Sequence, residues 1–136
     1  KMKHVAKMTQ RPERLITLKV EYKNVAISID SIVYVESMDN YVKIHRTDKS
    51  TLISQISLKK LEEMLPSKEF VRVHRSYVIS LNKVEHYTKQ SIKLIGYDDE
   101  IPVGRFYGIQ IAEYLKDKLK MMTKLPDFFE HNKDRD

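Results

Sequence analysis

FVRVHRSYVISLNKV, residues 70–84, reads as strand, break, strand. Val71 and Val73 alternate with Arg72 and His74, the two-residue period of a strand with one buried face. Arg75 interrupts that alternation and Tyr77 restarts it, so a bend falls between them and turns the Arg75 side chain outward. His74 then reads as a packed or hydrogen-bonded strand residue that shapes the bend.

Outward from this stretch the chain keeps the same rhythm. Towards the N-terminus, Ile16, Leu18 and Val20 alternate with polar residues. Lys23-Asn24 turns the chain, and Val25, Ile27 and Ile29 form the hairpin mate. Strands follow at Ile32–Glu36, Tyr41–Arg46 and Thr51–Ile53, with Ser37-Met38-Asp39-Asn40 as a loop signal between the first two. Ser57 to Leu65 reads as a helix: Leu58, Leu61, Met64 and Leu65 recur at helical spacing, Ser57 caps the start and Pro66 stops the end. Towards the C-terminus come strands at Tyr77–Ser80, Val84–Tyr87 and Ile92–Ile95. Ile101-Pro102-Val103 is an edge segment, because proline cannot donate to a central ladder. A second helix runs from about Phe106 to Met122 on a stripe of Ile109, Ala112, Leu115, Leu119 and Met122. The tally is about nine or ten short strands and two helices, mainly antiparallel β, with no βαβ rhythm.

The chain has 136 residues and a net charge of +6. Such a length predicts one domain. Residues 1–14 read as a linker or arm carrying a net charge of about +4, residues 15–122 as the domain, and 123–136 as a polar tail. The absence of cysteine excludes disulfide scaffolds, thiolate metal sites and cysteine nucleophiles. No apolar run reaches the ~18 residues of a membrane helix, and no signal peptide opens the chain, so the expectation is a cytoplasmic protein. Basic residues concentrate over 71–93, which marks a candidate anionic-partner footprint.

Four segments, in order, resemble the LytTR family of bacterial DNA-binding domains. They are residues 70–84; Ile32-Val33-Tyr34-Val35-Glu36 with Asp39-Asn40-Tyr41; Leu58-Leu61-Glu62-Leu65; and Ile101-Pro102-Val103-Gly104-Arg105. The resemblance covers about residues 15–120. It implies an elongated stack of small antiparallel sheets that contacts double-stranded DNA with loops instead of a recognition helix. It also implies the output domain of a transcription regulator of a two-component system, following a receiver or sensor domain. Two copies on neighbouring DNA sites are the family precedent.

On that reading Arg75, Arg105 and Asn40 read base edges. Arginine forks suit guanine and asparagine suits adenine. Arg105 precedes a helix, where a cation opposes the helix dipole by roughly 0.3–1 kcal/mol, so stability alone would not place it there. Tyr41, Lys43, His74, Ser76, Lys83, Lys89 and Tyr107 are the backbone-contacting or supporting set. Plain turn formation accounts equally for Asn40, core packing for Tyr41, and solvation for Lys83 and Lys89. His45, His74 and His86 fall on separate strands without metal-ligand spacing. No serine elbow or phosphate-binding glycine loop appears, so neither enzyme nor cofactor is expected. An RNA-binding module would need exposed stacking aromatics, and of Tyr41, Tyr77, Phe106 and Tyr107 the second and third read as core. A protein-interaction module is the remaining alternative.

Overall fold

The computed structural model describes residues 12–108 and 111–116, and among these it is mainly β. The strands are β1 (Leu15–Val20), β2 (Lys23–Ser28), β3 (Ile32–Met38), β4 (Tyr41–Arg46), β5 (Thr51–Ser54), β6 (Phe70–His74), β7 (Tyr77–Ser80), β8 (Val84–Tyr87), β9 (Ser91–Leu94) and β10 (Ile101–Pro102). They form three antiparallel sheets: β1-β2, a central β5-β4-β3-β7-β6, and β10-β9-β8. Pro102 lies on an edge strand, where its missing N–H breaks no ladder. The helix α1 (Leu58–Met64) links β5 to β6, and residues 111–116 belong to a second helix.

The central sheet is buried on both faces. One core joins Ile16, Leu18 and Ile27 of the first hairpin and Leu58, Leu61 and Leu65 around α1 to Val35, Ile44 and Val78. The other joins Val33, Tyr34, Val73 and Ile79 to Ile92 and Leu94 of the third sheet and to Ile111 and Leu115. Val78 and Ile79 thus feed opposite cores, as side chains of successive strand residues must. A register shift between Ile32 and Tyr34 lets consecutive Val33 and Tyr34 face the same core.

Several elements differ from the expectation in detail. The first hairpin turns at Glu21-Tyr22, because Val20 pairs with Lys23 and Leu18 with Val25. That register aligns the two apolar faces, which outweighs the turn preference of Asn24. α1 is capped by Ser57, whose Oγ accepts from the Lys60 amide at 3.1 Å, but Met64 faces solvent. In the second helix Ile111 and Leu115 are buried while Ala112 is exposed. The expected stripe is therefore displaced, with Ile109, Leu119 and Met122 outside the described residues. Phe106 is 89% exposed and not core. Ile95 is exposed and lies beyond β9. Arg14, read as part of the arm, is tied into the domain by ion pairs to Glu69 at 2.7 Å and to Asp30.

Strand direction sorts the connections to two ends of the stack. The turns Glu21-Tyr22, Asp39-Asn40, Arg75-Ser76 and 88–90 lie at one end, here the upper. Ser37 N donates to Ser76 O at 2.8 Å, Ser54 Oγ to Lys19 O at 2.8 Å, and Val103 N to Gln90 O at 2.9 Å, which hold these turns at a common level. The single-turn 3-10 helices Ile29–Ser31 and Leu81–Lys83 and the turn at 47–49 occupy the lower end. There Thr47 N donates to Ser31 O at 2.8 Å.

Candidate DNA interface at the upper end

Arg75 and Ser76 form the two-residue connection between β6 and β7, with His74 opposite Tyr77. A register shift between Arg72 and His74 bulges β6 just before the turn. Three side-chain interactions hold the turn. Arg72 Nε donates to the His74 carbonyl at 3.0 Å and Arg72 Nη2 to the Arg75 carbonyl at 2.7 Å. The Ser76 amide donates to His74 Nδ1 at 3.0 Å. The His74 ring also meets Tyr77 edge-on at 5.5 Å. His74 is therefore a hydrogen-bonded strand residue that shapes the bend, with the Ser76 backbone amide as its partner. The Arg75 side chain is exposed, and among the described residues its guanidinium has no ion-pair or hydrogen-bond partner.

The segment carrying Arg105 is brought to the same place by the backbone. Gly104 N donates to Val73 O at 2.8 Å. A Cβ on Gly104 would meet Tyr107 Cδ2 at 2.9 Å and His74 Cα at 3.5 Å, so glycine permits this close approach. Tyr107 N closes a turn onto Gly104 O at 3.0 Å, and Tyr107 packs against the second core. Arg105 projects from the turn, exposed and without a partner among the described residues. Phe106 beside it is an exposed apolar surface on the same turn.

Asn40 is exposed at the β3–β4 tip, where Asp39 takes the left-handed conformation at φ 54°. Asp39 and Asn40 together form this turn, so turn formation still accounts for Asn40. Tyr41, flanking the tip opposite Met38, is 46% exposed and so not a core residue. Lys43 follows on β4, half-buried and opposite Glu36. Lys89 sits at the tip of the 88–90 turn, on the same end as Arg105.

Lys83 is not part of this group. It lies at the lower end, where Nζ donates to the Asp30 carbonyl at 3.0 Å. Arg14 is at that end too, and its hydrogen bonds to Glu69 and Asp30 hold the guanidinium charged beyond its usual range. Both of these lower-end cations are thus consumed by the fold, whereas Arg75 and Arg105 at the upper end are presented. Among the described residues no cluster of histidine, cysteine or carboxylate side chains is suited to a metal. His45 is committed to packing: it stacks on Tyr34 at 4.1 Å and bonds Glu36 at 2.9 Å through Nε2. Among the described residues no helix is long and apolar enough to cross a membrane.

A β-stack that gathers four turns at one end, with two exposed arginines unpartnered among the described residues, is a rigid sheet scaffold that presents cationic loops. The model of the LytTr DNA-binding domain family matches residues 22–116, and the chain belongs to that family. The sensory transduction protein LytT of Bacillus anthracis is 30% identical over 105 residues, covering 74% of this chain and 42% of that protein. The heme-containing CO-sensing transcriptional regulator RcoM 1 of Paraburkholderia xenovorans (strain LB400) is 35% identical over 111 residues, covering 76% and 41% respectively. The chain therefore spans less than half the length of these relatives. Among solved structures, a LytTr DNA-binding domain of a methyl-accepting/DNA response regulator from Bacillus cereus superposes with a TM-score of 0.63. It is 21% identical and covers 76% of this chain and 98% of that one, which bears out the fold. Mainly β architecture, three antiparallel sheets and two helices are thus the LytTR arrangement.

Proposed function

We propose that this LytTR domain recognises specific duplex sequences with Arg75, Arg105 and Asn40, and that Lys43, Lys89 and Tyr41 contact the flanking backbone. The observation that carries the reading is a pair of exposed guanidinium groups, without partners among the described residues, on neighbouring turns joined through the Gly104 N to Val73 O bond. Arginine forks suit paired acceptors on guanine in the major groove, and phosphate contacts supply the sequence-independent part of affinity. His74, Ser76 and Tyr107 hold these turns. Lys83, at the far end, is outside the interface.

Selection from randomised duplexes at a defined salt concentration tests the assignment. Arg75→Ala and Arg105→Ala should each cost about 1–3 kcal/mol on the preferred site and relax preference at one base pair. Identical preferences in the parent and both variants would rule the readers out. The exposed Phe106 ring also gives a surface for stacking a splayed base, which favours single-stranded RNA as the second reading. Competition between duplex DNA and single-stranded RNA separates the two.

The larger context is part of the same proposal. The domain serves as the output module of a cytoplasmic transcription regulator in a two-component system and has no enzymatic activity of its own. A receiver or sensor segment precedes it, and two copies pair on adjacent half-sites. Residues 1–13 act as the linker, Arg14 being tied into the domain, and 123–136 as a polar tail. The length of the relatives leaves room for such an input segment, since this chain spans 42% of LytT.

A further inference from the structure

We propose that Arg72 is a positioning residue for sequence readout: its guanidinium clamps the β6–β7 turn and so fixes where Arg75 points. This rests on the assignment of Arg75 as a reader and adds a residue that itself touches no base.

Two-residue connections between antiparallel strands ordinarily hold themselves together in mirror-image turns, which need left-handed residues. Glu21, Tyr22, Asp39 and Lys49 adopt positive φ, but neither Arg75 nor Ser76 does. The β6–β7 turn therefore lacks the usual internal geometry and depends on outside support. Arg72 supplies it. Its Nε and Nη2 reach the His74 and Arg75 carbonyls at 3.0 and 2.7 Å, one fork across two consecutive acceptors. The remaining arm, Nη1, is anchored to Glu62 Oε1 of α1 at 3.1 Å. All three nitrogens are thereby engaged, and the group is partly buried, with its side chain 24% exposed. A planar fork suits this task, whereas a lysine ammonium cannot span the same three acceptors in one plane. The carbonyl that Arg72 holds at 2.7 Å belongs to Arg75 itself, so the clamp acts on the peptide from which the reading side chain projects. An arginine reader loses discrimination when its fork wanders from the base plane. The anchor on Glu62 ties the clamp to the helix that covers this face of the central sheet.

The test uses the 136-residue chain carrying Arg72→Met, Arg72→Lys, Arg75→Ala and the double variant Arg72→Met with Arg75→Ala. Each is measured on the duplex selected by the parent and on a scrambled duplex, at two salt concentrations, beside a thermal melt. Arg72→Met should cut the ratio of selected to scrambled affinity by about tenfold, the order of one lost bidentate base contact. The loss should fall at the base pair that Arg75→Ala also relaxes, and Arg72→Lys should not restore it. The double variant should lose no more preference than Arg75→Ala alone. An unchanged preference in Arg72→Met would overturn the proposal. So would an equal weakening on both duplexes with a salt slope lower by about one, since that marks a direct phosphate contact. If Arg75→Ala alone leaves preference unchanged, the reader assignment fails first and the clamp has nothing to position. Should Arg72→Met melt below the assay temperature, Glu62→Gln replaces it. A loss at the same base pair, smaller at about threefold, supports the clamp, and no loss there overturns it.

Discussion

Replacing Glu21-Tyr22 by Asn-Gly should make the domain more stable. Both residues adopt left-handed backbone, at φ 50° and 68°, in the two-residue connection of β1 and β2. For ordinary L-residues that conformation costs roughly 1–2 kcal/mol each. Nothing in the packing offsets it, because Glu21 is exposed and Tyr22 is 98% exposed. Asn-Gly is the preferred pair for this mirror-image turn. Against the relieved strain stands the extra freedom of glycine in the unfolded chain, roughly 0.5–1 kcal/mol. The net expectation is a gain of about 1–2 kcal/mol, hence a Tm higher by roughly 5–10 °C for a domain near 100 residues. Thermal and urea melts followed by circular dichroism measure it, with an unchanged urea dependence showing that the native state is the same. A Tm equal to or below that of the parent would refute the reasoning, because it would mean the tip is not left-handed or its side chains support the fold.

The two-core arrangement predicts the behaviour of adjacent residues in β7. Val78→Ala and Ile79→Ala should each destabilise, the isoleucine change by about 2–5 kcal/mol. Their effects should add within about 0.5 kcal/mol, since each side chain fills a separate cluster; strong coupling in a double-mutant cycle would contradict two cores. Alkaline titration gives a second check. Burial, with the nearby Glu36 carboxylate, pushes the Tyr34 phenol up to about 12. The folded state thus favours the neutral phenol, so stability is intact below the ordinary value near 10 and falls as pH rises from there through about 12. Tyr34→Phe should flatten that fall in urea melts taken at successive pH values, and an unchanged pH profile would count against it.

The bend at Arg75 was legible because a strand's two-residue period leaves no other account of the interruption between Val73 and Tyr77. The α1 boundaries were equally legible from Ser57 and Pro66. What the pattern could not supply was the second buried face. Alternation reveals a face by contrast with polar neighbours, and Ile32-Val33-Tyr34-Val35 offers none. The turn at Glu21-Tyr22 was hidden for a related reason: register is decided by which apolar residues must share a face, not by the best local turn former. Lys83 shows a third limit. Its position beside a connection was readable, but which end of the stack that connection occupies depends on counting strands through the sheet order. Arg72 was readable only as a polar strand residue, because its three acceptors come from the turn ahead and from a helix ten residues behind.

The net charge of residues 15–123 is only about +3, so bulk electrostatics does not single out an interface. What distinguishes the upper end is that, among the described residues, it presents two exposed arginines without partners; at the lower end Arg46 also keeps an unpaired Nε, but a buried one. At the lower end Arg14 and Lys83 are bonded to Glu69, Asp30 and a backbone carbonyl. At the upper end Arg72 is bonded to the turn, and Arg75 is exposed with its five N–H donors unengaged by the described residues. Arg105 is delivered beside it by a glycine that lets one backbone lie on another. Because an antiparallel stack returns alternate connections to the same end, distant segments of sequence meet there without a dedicated recognition helix. The rigidity of both cores then limits how far those tips can drift. A domain built this way should discriminate sequences through the few donors it leaves unpaired, and owe the remainder of its affinity to phosphate contacts that fade with salt.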